Sequence, residues 1–189
     1  MSGLSSAEGL RKKGTWRYAR QMKDITSANF GLLIAYVLPG FVLLGGIEPY
    51  SETVQAWVGQ SSAEAASVGG FLYVTVASVG LGQLVSTLRW LTIDSLHHRT
   101  GIGKPSWNFR RLKDKVEAFD HLIQIHYRYY QWHANSLISV TLAAFLRWTV
   151  NGFRWKEFAL VVTVNCLLYA GSRDTLDKYY RRVEELLGR

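Results

Sequence analysis

Two long stretches of the chain carry no charge at all: 23 residues between Asp24 and Glu48, and 24 between Glu64 and Arg89. A helix rises about 1.5 Å per residue, so each reaches about 35 Å, enough for a hydrocarbon core of about 30 Å. The pattern predicts a first spanning helix over Ile25–Ile47, with Thr26, Ser27 and Asn29 as candidate caps and a lost backbone bond, hence a kink, at Pro39-Gly40. A second is best placed from about Val68 to Leu91. Its Ser78, Gly82 and Ser86 recur every four residues, the small-residue spacing that lets helix backbones approach closely in lipid.

Two further apolar stretches are shorter. Ala134–Val150 is interrupted by Arg147, and Phe158–Ser172 is bounded by Glu157 and Arg173, so each spans only if its ends snorkel or borrow flanking residues. Between them, Asn151-Gly152 supplies turn chemistry flanked by Trp148 and Trp155, as expected of a hairpin tip at a headgroup interface. A transmembrane hairpin is therefore preferred to two helices lying in one leaflet.

On the other side of this hairpin the apolar positions Phe109, Leu112, Val116, Phe119 and Ile123 step by threes and fours, and the same face continues through His126, Tyr130, His133 and Leu137. No Pro or Gly interrupts Ser106 to Asn151, which predicts one long helix entering the third span. Asp174, Leu176, Tyr180, Val183 and Leu187 predict a matching helix leaving the fourth, with i,i+4 charge pairs on its surface.

The fold class read from this is all-α: a polytopic membrane protein with four transmembrane helices and helical cytoplasmic extensions, the last two spans forming a long hairpin stalk. Its divisions are a basic segment at 1–24, a first hairpin at 25–93, a linker at 94–106, and the cytoplasmic helix, second hairpin and C-terminal helix at 107–189.

Charge sets the orientation. The 189 residues carry 22 Lys and Arg against 14 Asp and Glu, net +8. Nineteen of the basic residues fall in the N-terminal segment, the Arg89–Arg128 region and the C-terminal tail; three fall at the hairpin tip and none between Glu48 and Ser67. Positive charge collects on the cytoplasmic side, which puts both termini inside and gives a multi-pass protein of the bacterial inner-membrane type. The long first apolar run followed by further spans reads as a signal anchor rather than a cleaved signal. The one cysteine, Cys166, excludes an intramolecular disulfide and reads as a small buried apolar filler in the fourth span.

Candidate chemistry is sparse. All five histidines lie between positions 97 and 133, and Asp94, His97, His98, His126 and His133 are the residues that could meet across packed helices to ligate a metal or a haem. The commoner role for such histidines is an interfacial hydrogen bond, so no cofactor is expected and the redox centre stands as the alternative. The string from His126 to His133 mixes aromatic and basic groups as a membrane-water belt does. Arg11, Lys12, Lys13, Arg17, Arg20, Arg110, Arg111 and Arg128 form the basic surface expected to meet anionic lipid or a cytoplasmic protein partner, with nucleotide or nucleic acid the less favoured ligand. Arg147 and Asn165 are the polar exceptions in the second hairpin and the candidates to line an ion path.

No P-loop or G-x-S-x-G occurs, and Gly101-Ile102-Gly103 lacks the third glycine of a dinucleotide fingerprint. The expectation is a non-enzymatic, homo-oligomeric membrane subunit: a pore-forming effector, a sensor or an anchor, of the sort that bacterial defence systems also use. A channel or transporter is a third reading.

Overall fold

The computed structural model describes residues 29–59, 68–103 and 105–188. It is all-helical, with no strand among the described residues. Helix α1 covers Asn29–Tyr50, passing through a π-turn at Leu33–Val37 and ending in a 3₁₀ turn at Glu48–Tyr50. A short helix α2, Glu52–Gly59, follows, and its Trp57 stacks on Tyr73 at 5.3 Å. Helix α3 runs Val68–Arg89, a π-turn at Trp90–Asp94, and Ser95–Arg99. Helix α4 comprises Val116–Leu122, a π-turn at Ile123–Tyr127, and Arg128–Asn151; helix α5 is Trp155–Leu187.

Two helices, Asn29–Tyr50 and Gly69–Arg99, are long and apolar enough to cross a membrane. Helix α4 misses that measure because Gln131, His133 and Asn135 dilute its inner turns, and α5 because its apolar run stops at Ser172. Where the sequence predicts a kink in the first candidate span, a π-turn at Leu33–Val37 directly precedes Pro39. Pro39 lacks an N–H, which leaves the Ala35 carbonyl without its helical donor, yet the helix continues unbroken from Leu38 to Ile47. The amide of Asn135 on α4 donates to that carbonyl at 2.7 Å. A neighbouring helix thus supplies the bond that proline removed, as lipid-embedded helices require.

Helices α1, α3 and α4 form a three-helix bundle, and α5 packs along α4 with the end of α3 reaching it through His97 and His98. Helix α1 and α3 touch backbone to backbone: a Cβ on Gly40 would lie 1.8 Å from the Ser78 carbonyl oxygen, and one on Gly82 would lie 2.1 Å from that of Tyr36. Alongside, α1 and α4 run parallel. Gly31 sits by Gln124 and Arg128, Ala35 meets Asn135, Gly46 packs on Ala143, and the Tyr50 hydroxyl bonds Thr149.

The stretch before α4 corrects the expectation of one helix from Ser106. Residues 105–115 hold only the 3₁₀ turn Phe109–Leu112, capped by the Asn108 carboxamide, and the long helix starts at Val116. The reason is packing. Trp107 and Leu112 fold back onto the α4–α5 pair, where Tyr179, Val183 and Leu187 are buried with Phe119 and Ile123. Trp107 meets Tyr179 and Tyr180 edge-on at 5.7 Å each. Arg111 donates to the carbonyls of Leu187 and Gly188, and Lys115 to that of Leu186, so two cations close the open C-terminal end of α5. At the hairpin tip, Gly152 adopts φ 78°, ending α4 as the Asn-Gly step predicts.

Candidate functional site

A cluster of polar residues surrounds the π-turn of α3 at Trp90–Asp94. Arg89 and Asp94 are five residues apart, which in an α-helix would turn them about 140° away from each other. The π-turn between them, with its wider i→i+5 step, brings both to one face. Arg89 is only 5 % exposed. Its Nε lies 3.6 Å from Asp94 Oδ1, and its guanidinium sits over the rings of Tyr130 at 5.2 Å and Tyr127 at 6.0 Å. The Tyr130 hydroxyl donates to the same Asp94 oxygen. Burial and the adjacent carboxylate push the Tyr130 hydroxyl well above the usual phenol range, so it remains a donor at all physiological pH.

From this centre a line of buried polar groups climbs α4 in steps of four: Gln131, Asn135 and Ser139. Gln131 donates to the Tyr36 hydroxyl at 2.9 Å and accepts from Arg128 at 3.0 Å, while Arg128 lies 6.0 Å from the Tyr36 ring. Outward of Ser139 the interior is apolar, made of Leu43, Leu44 and Ala143. Arg89 and Ser139 are not singled out by the sequence, and Tyr130 and Gln131 stand in it only as part of the aromatic belt string and the seam, although the four-residue spacing of Gln131, Asn135 and Ser139 is a readable signal for a polar stripe facing the bundle.

The histidines are drawn to different partners. His97 is fully buried between Tyr130 and Tyr169, and its Nε2 contacts Ser172 Oγ at 2.9 Å. Because Ser172 spends its own proton on the Tyr169 carbonyl, at 2.8 Å, His97 Nε2 is the donor and Ser172 is not an activated nucleophile. His98 bonds the Ile102 carbonyl at 3.0 Å and stacks on Tyr180, whose hydroxyl burial raises to about 12. His133 donates to the Tyr129 carbonyl at 2.7 Å and fills the space over Gly171. His126 faces α5, where burial first, then Arg182 and Lys178, hold its imidazole below the ordinary value. Among the described residues no group of three His, Cys, Asp or Glu side chains converges to hold a metal ion.

The other candidates fall as follows. Ser78 and Gly82 pack against α1 of the same chain, with Ser86 half-buried beside them, so this stripe is filled without a second copy. Arg147 donates to the Gly45 carbonyl at 3.4 Å and pairs with Glu48 at 3.5 Å, while Asn165 donates to Thr141 at 3.0 Å on the α4–α5 contact; the two do not share a lumen. Arg111 and Arg128 are engaged within the chain as described, and Arg110 is exposed. Arg11, Lys12, Lys13, Arg17 and Arg20 lie outside the described residues. Cys166 is exposed on α5, not buried between helices as the sequence suggested. Compared with known proteins, the chain matches no described family, no curated protein and no solved structure.

Proposed function

We propose that this chain is a non-catalytic membrane subunit of four spans, with both ends cytoplasmic, that anchors the inner halves of α4 and α5 as a docking stalk for a cytoplasmic protein. The observation that carries this reading is the parallel run of α4 beside α1. From Gly31 against Arg128 to Tyr50 against Thr149, the two helices stay in register over the full length of the first candidate span. A bilayer that holds α1 therefore also encloses α4 from about Gln131 to Thr149, and α5 returns along it, with Asn165 opposite Thr141 and Gly171 opposite His133.

Anchoring is favoured over conduction because the buried polar stripe ends at Ser139 and the outer interior is apolar, leaving no polar route among the described residues of one copy. It is favoured over redox chemistry because the histidines bind protein groups separately. Assembly with further copies through a helix face has α5 between Trp155 and Ala170 to offer, since eleven of its sixteen residues are exposed and none is buried.

Topology labelling tests the core of the proposal. In a Cys166→Ser background, Asn151→Cys should react with an impermeant maleimide in intact cells, and Glu185→Cys only after lysis. Labelling of both positions from outside, or of neither before lysis, would overturn it. Oxidative crosslinking of native Cys166 to a covalent dimer in membranes tests whether copies pack through α5.

A further inference from the structure

The outer surface of α3 changes character within three turns. Leu84, Leu88, Trp90 and Leu91 are exposed apolar side chains along the candidate span, and beyond them lies an open cleft of about 490 Å³ edged by Trp90, Leu91, Asp94, Ser95, His98 and Arg99. The π-turn at Trp90–Asp94 supplies three of these lining residues, Trp90, Leu91 and Asp94.

Its polar groups are unusually uncommitted. Asp94 accepts the Tyr130 hydroxyl on Oδ1, with Arg89 Nε 3.6 Å from the same oxygen, and Oδ2 has no partner among the described residues. His98 uses Nδ1 on the Ile102 carbonyl, which leaves Nε2 at the surface. Neither the Ser95 hydroxyl nor the Arg99 guanidinium pairs with a described residue. An acceptor oxygen and a cationic fork thus stand side by side at the end of an apolar helix face.

We propose that this cleft binds an aminophospholipid of the cytoplasmic leaflet, a headgroup carrying both a primary ammonium and a phosphate, as in phosphatidylethanolamine. The inference rests on the reading that α3 crosses a bilayer. The ammonium donates to Asp94 Oδ2, the phosphate takes Arg99 and Ser95, and the acyl chains lie along Trp90 and Leu91. Asp94 is what makes the site selective. Its charge is matched by Arg89, so selectivity lies in the free Oδ2: a trimethylated ammonium has no N–H to give it, and neither does a headgroup without an amine.

Trp90 is a built-in reporter. The whole protein in phosphatidylcholine nanodiscs is titrated with phosphatidylethanolamine brominated on its acyl chains, and the quenching lost in Trp90→Phe isolates the signal at the cleft. The expected result is stronger Trp90 quenching by brominated phosphatidylethanolamine than by brominated phosphatidylcholine or phosphatidylglycerol at equal mole fraction. Arg99→Ala, at an exposed position, should weaken the half-saturation point about tenfold. Equal quenching by all three lipids, stronger quenching by phosphatidylglycerol, or indifference to Arg99→Ala would each overturn the site while leaving the four-span reading intact. Absence of Trp90 quenching by any bromolipid would overturn both.

Discussion

Helix α5 reads in opposite senses on either side of Ser172. From Trp155 to Ala170, Phe158, Leu160, Val162 and Leu167 point away from the protein, and the Thr163 hydroxyl folds back onto the Ala159 carbonyl instead of reaching outward. From Ser172 to Leu187 the apolar positions Leu176, Tyr179, Val183 and Leu187 are buried, and the outside carries the pairs Asp174–Lys178, Asp177–Arg181 and Arg182–Glu185. One continuous helix therefore presents hydrocarbon to its surroundings along one half and charge along the other. An aqueous medium on both halves would favour burying the first as it does the second. The difference supports a boundary between two solvents, and the buried Arg89–Asp94–Tyr130 group lies at about that level, since His97 beside it reaches Ser172.

The sharpest way to break this contrast is at the boundary itself. Asp94→Ala leaves the Arg89 guanidinium buried without its carboxylate and should cost about 3 to 5 kcal/mol, read as a lower unfolding midpoint in detergent. The double variant Arg89→Met, Asp94→Leu should recover much of that loss, because no charge is then stranded. Next in size, Leu167→Lys places an ammonium on the most exposed part of the outer half, at 69 % exposure. In water such a change would be nearly neutral. In the middle of a bilayer span it should cost about 3 kcal/mol and lower the fraction that resists carbonate extraction.

Smaller effects separate the two regions by how they pack. Gly40→Ala should destabilise by about 2 kcal/mol, since its Cβ would overlap the Ser78 carbonyl, whereas Gly45→Ala, with nothing within 4 Å, should leave the midpoint unchanged. Asn135→Ala, which uncovers the Ala35 carbonyl, should cost about 1 kcal/mol.

The smallest effect belongs to the water-facing half. His126 is held below 6.5 in the fold, so the unfolded chain takes up a proton first as the solution is acidified. Stability is then flat above about pH 6.5 and falls below it. The decline in midpoint between pH 7.5 and 5.5 should be shallower in His126→Gln.

How far the sequence reveals this arrangement depends on which force sets each feature. The two charge-free runs and the Asn-Gly hairpin tip are legible because length and local turn chemistry decide them. The helical register of Phe119, Ile123, Val183 and Leu187 is legible too, since periodicity reports burial. Residues 106–115 mislead: they continue the same apolar spacing, but the half-buried indole of Trp107 gains more by folding across Tyr179 and Tyr180 than by extending α4. Arg89 misleads in the other direction. As a charge ending an apolar run it reads as a flank in water, and only the widened turn after it, invisible in composition, carries it into the bundle. For Ser78 and Gly82 the spacing announces close approach correctly but is silent on the partner, which is Gly40 in the same chain.

The bond between Asn135 and the Ala35 carbonyl bears on how the protein is made. The two groups are separated by a hundred positions in the chain. When α1 first leaves the ribosome it carries a bare peptide oxygen, and the group that will shield it has not yet been translated. On the four-span reading proposed above, biogenesis must keep the first helix close to the insertion machinery, or to water, until α4 emerges beside it. An early helix is completed by a late one.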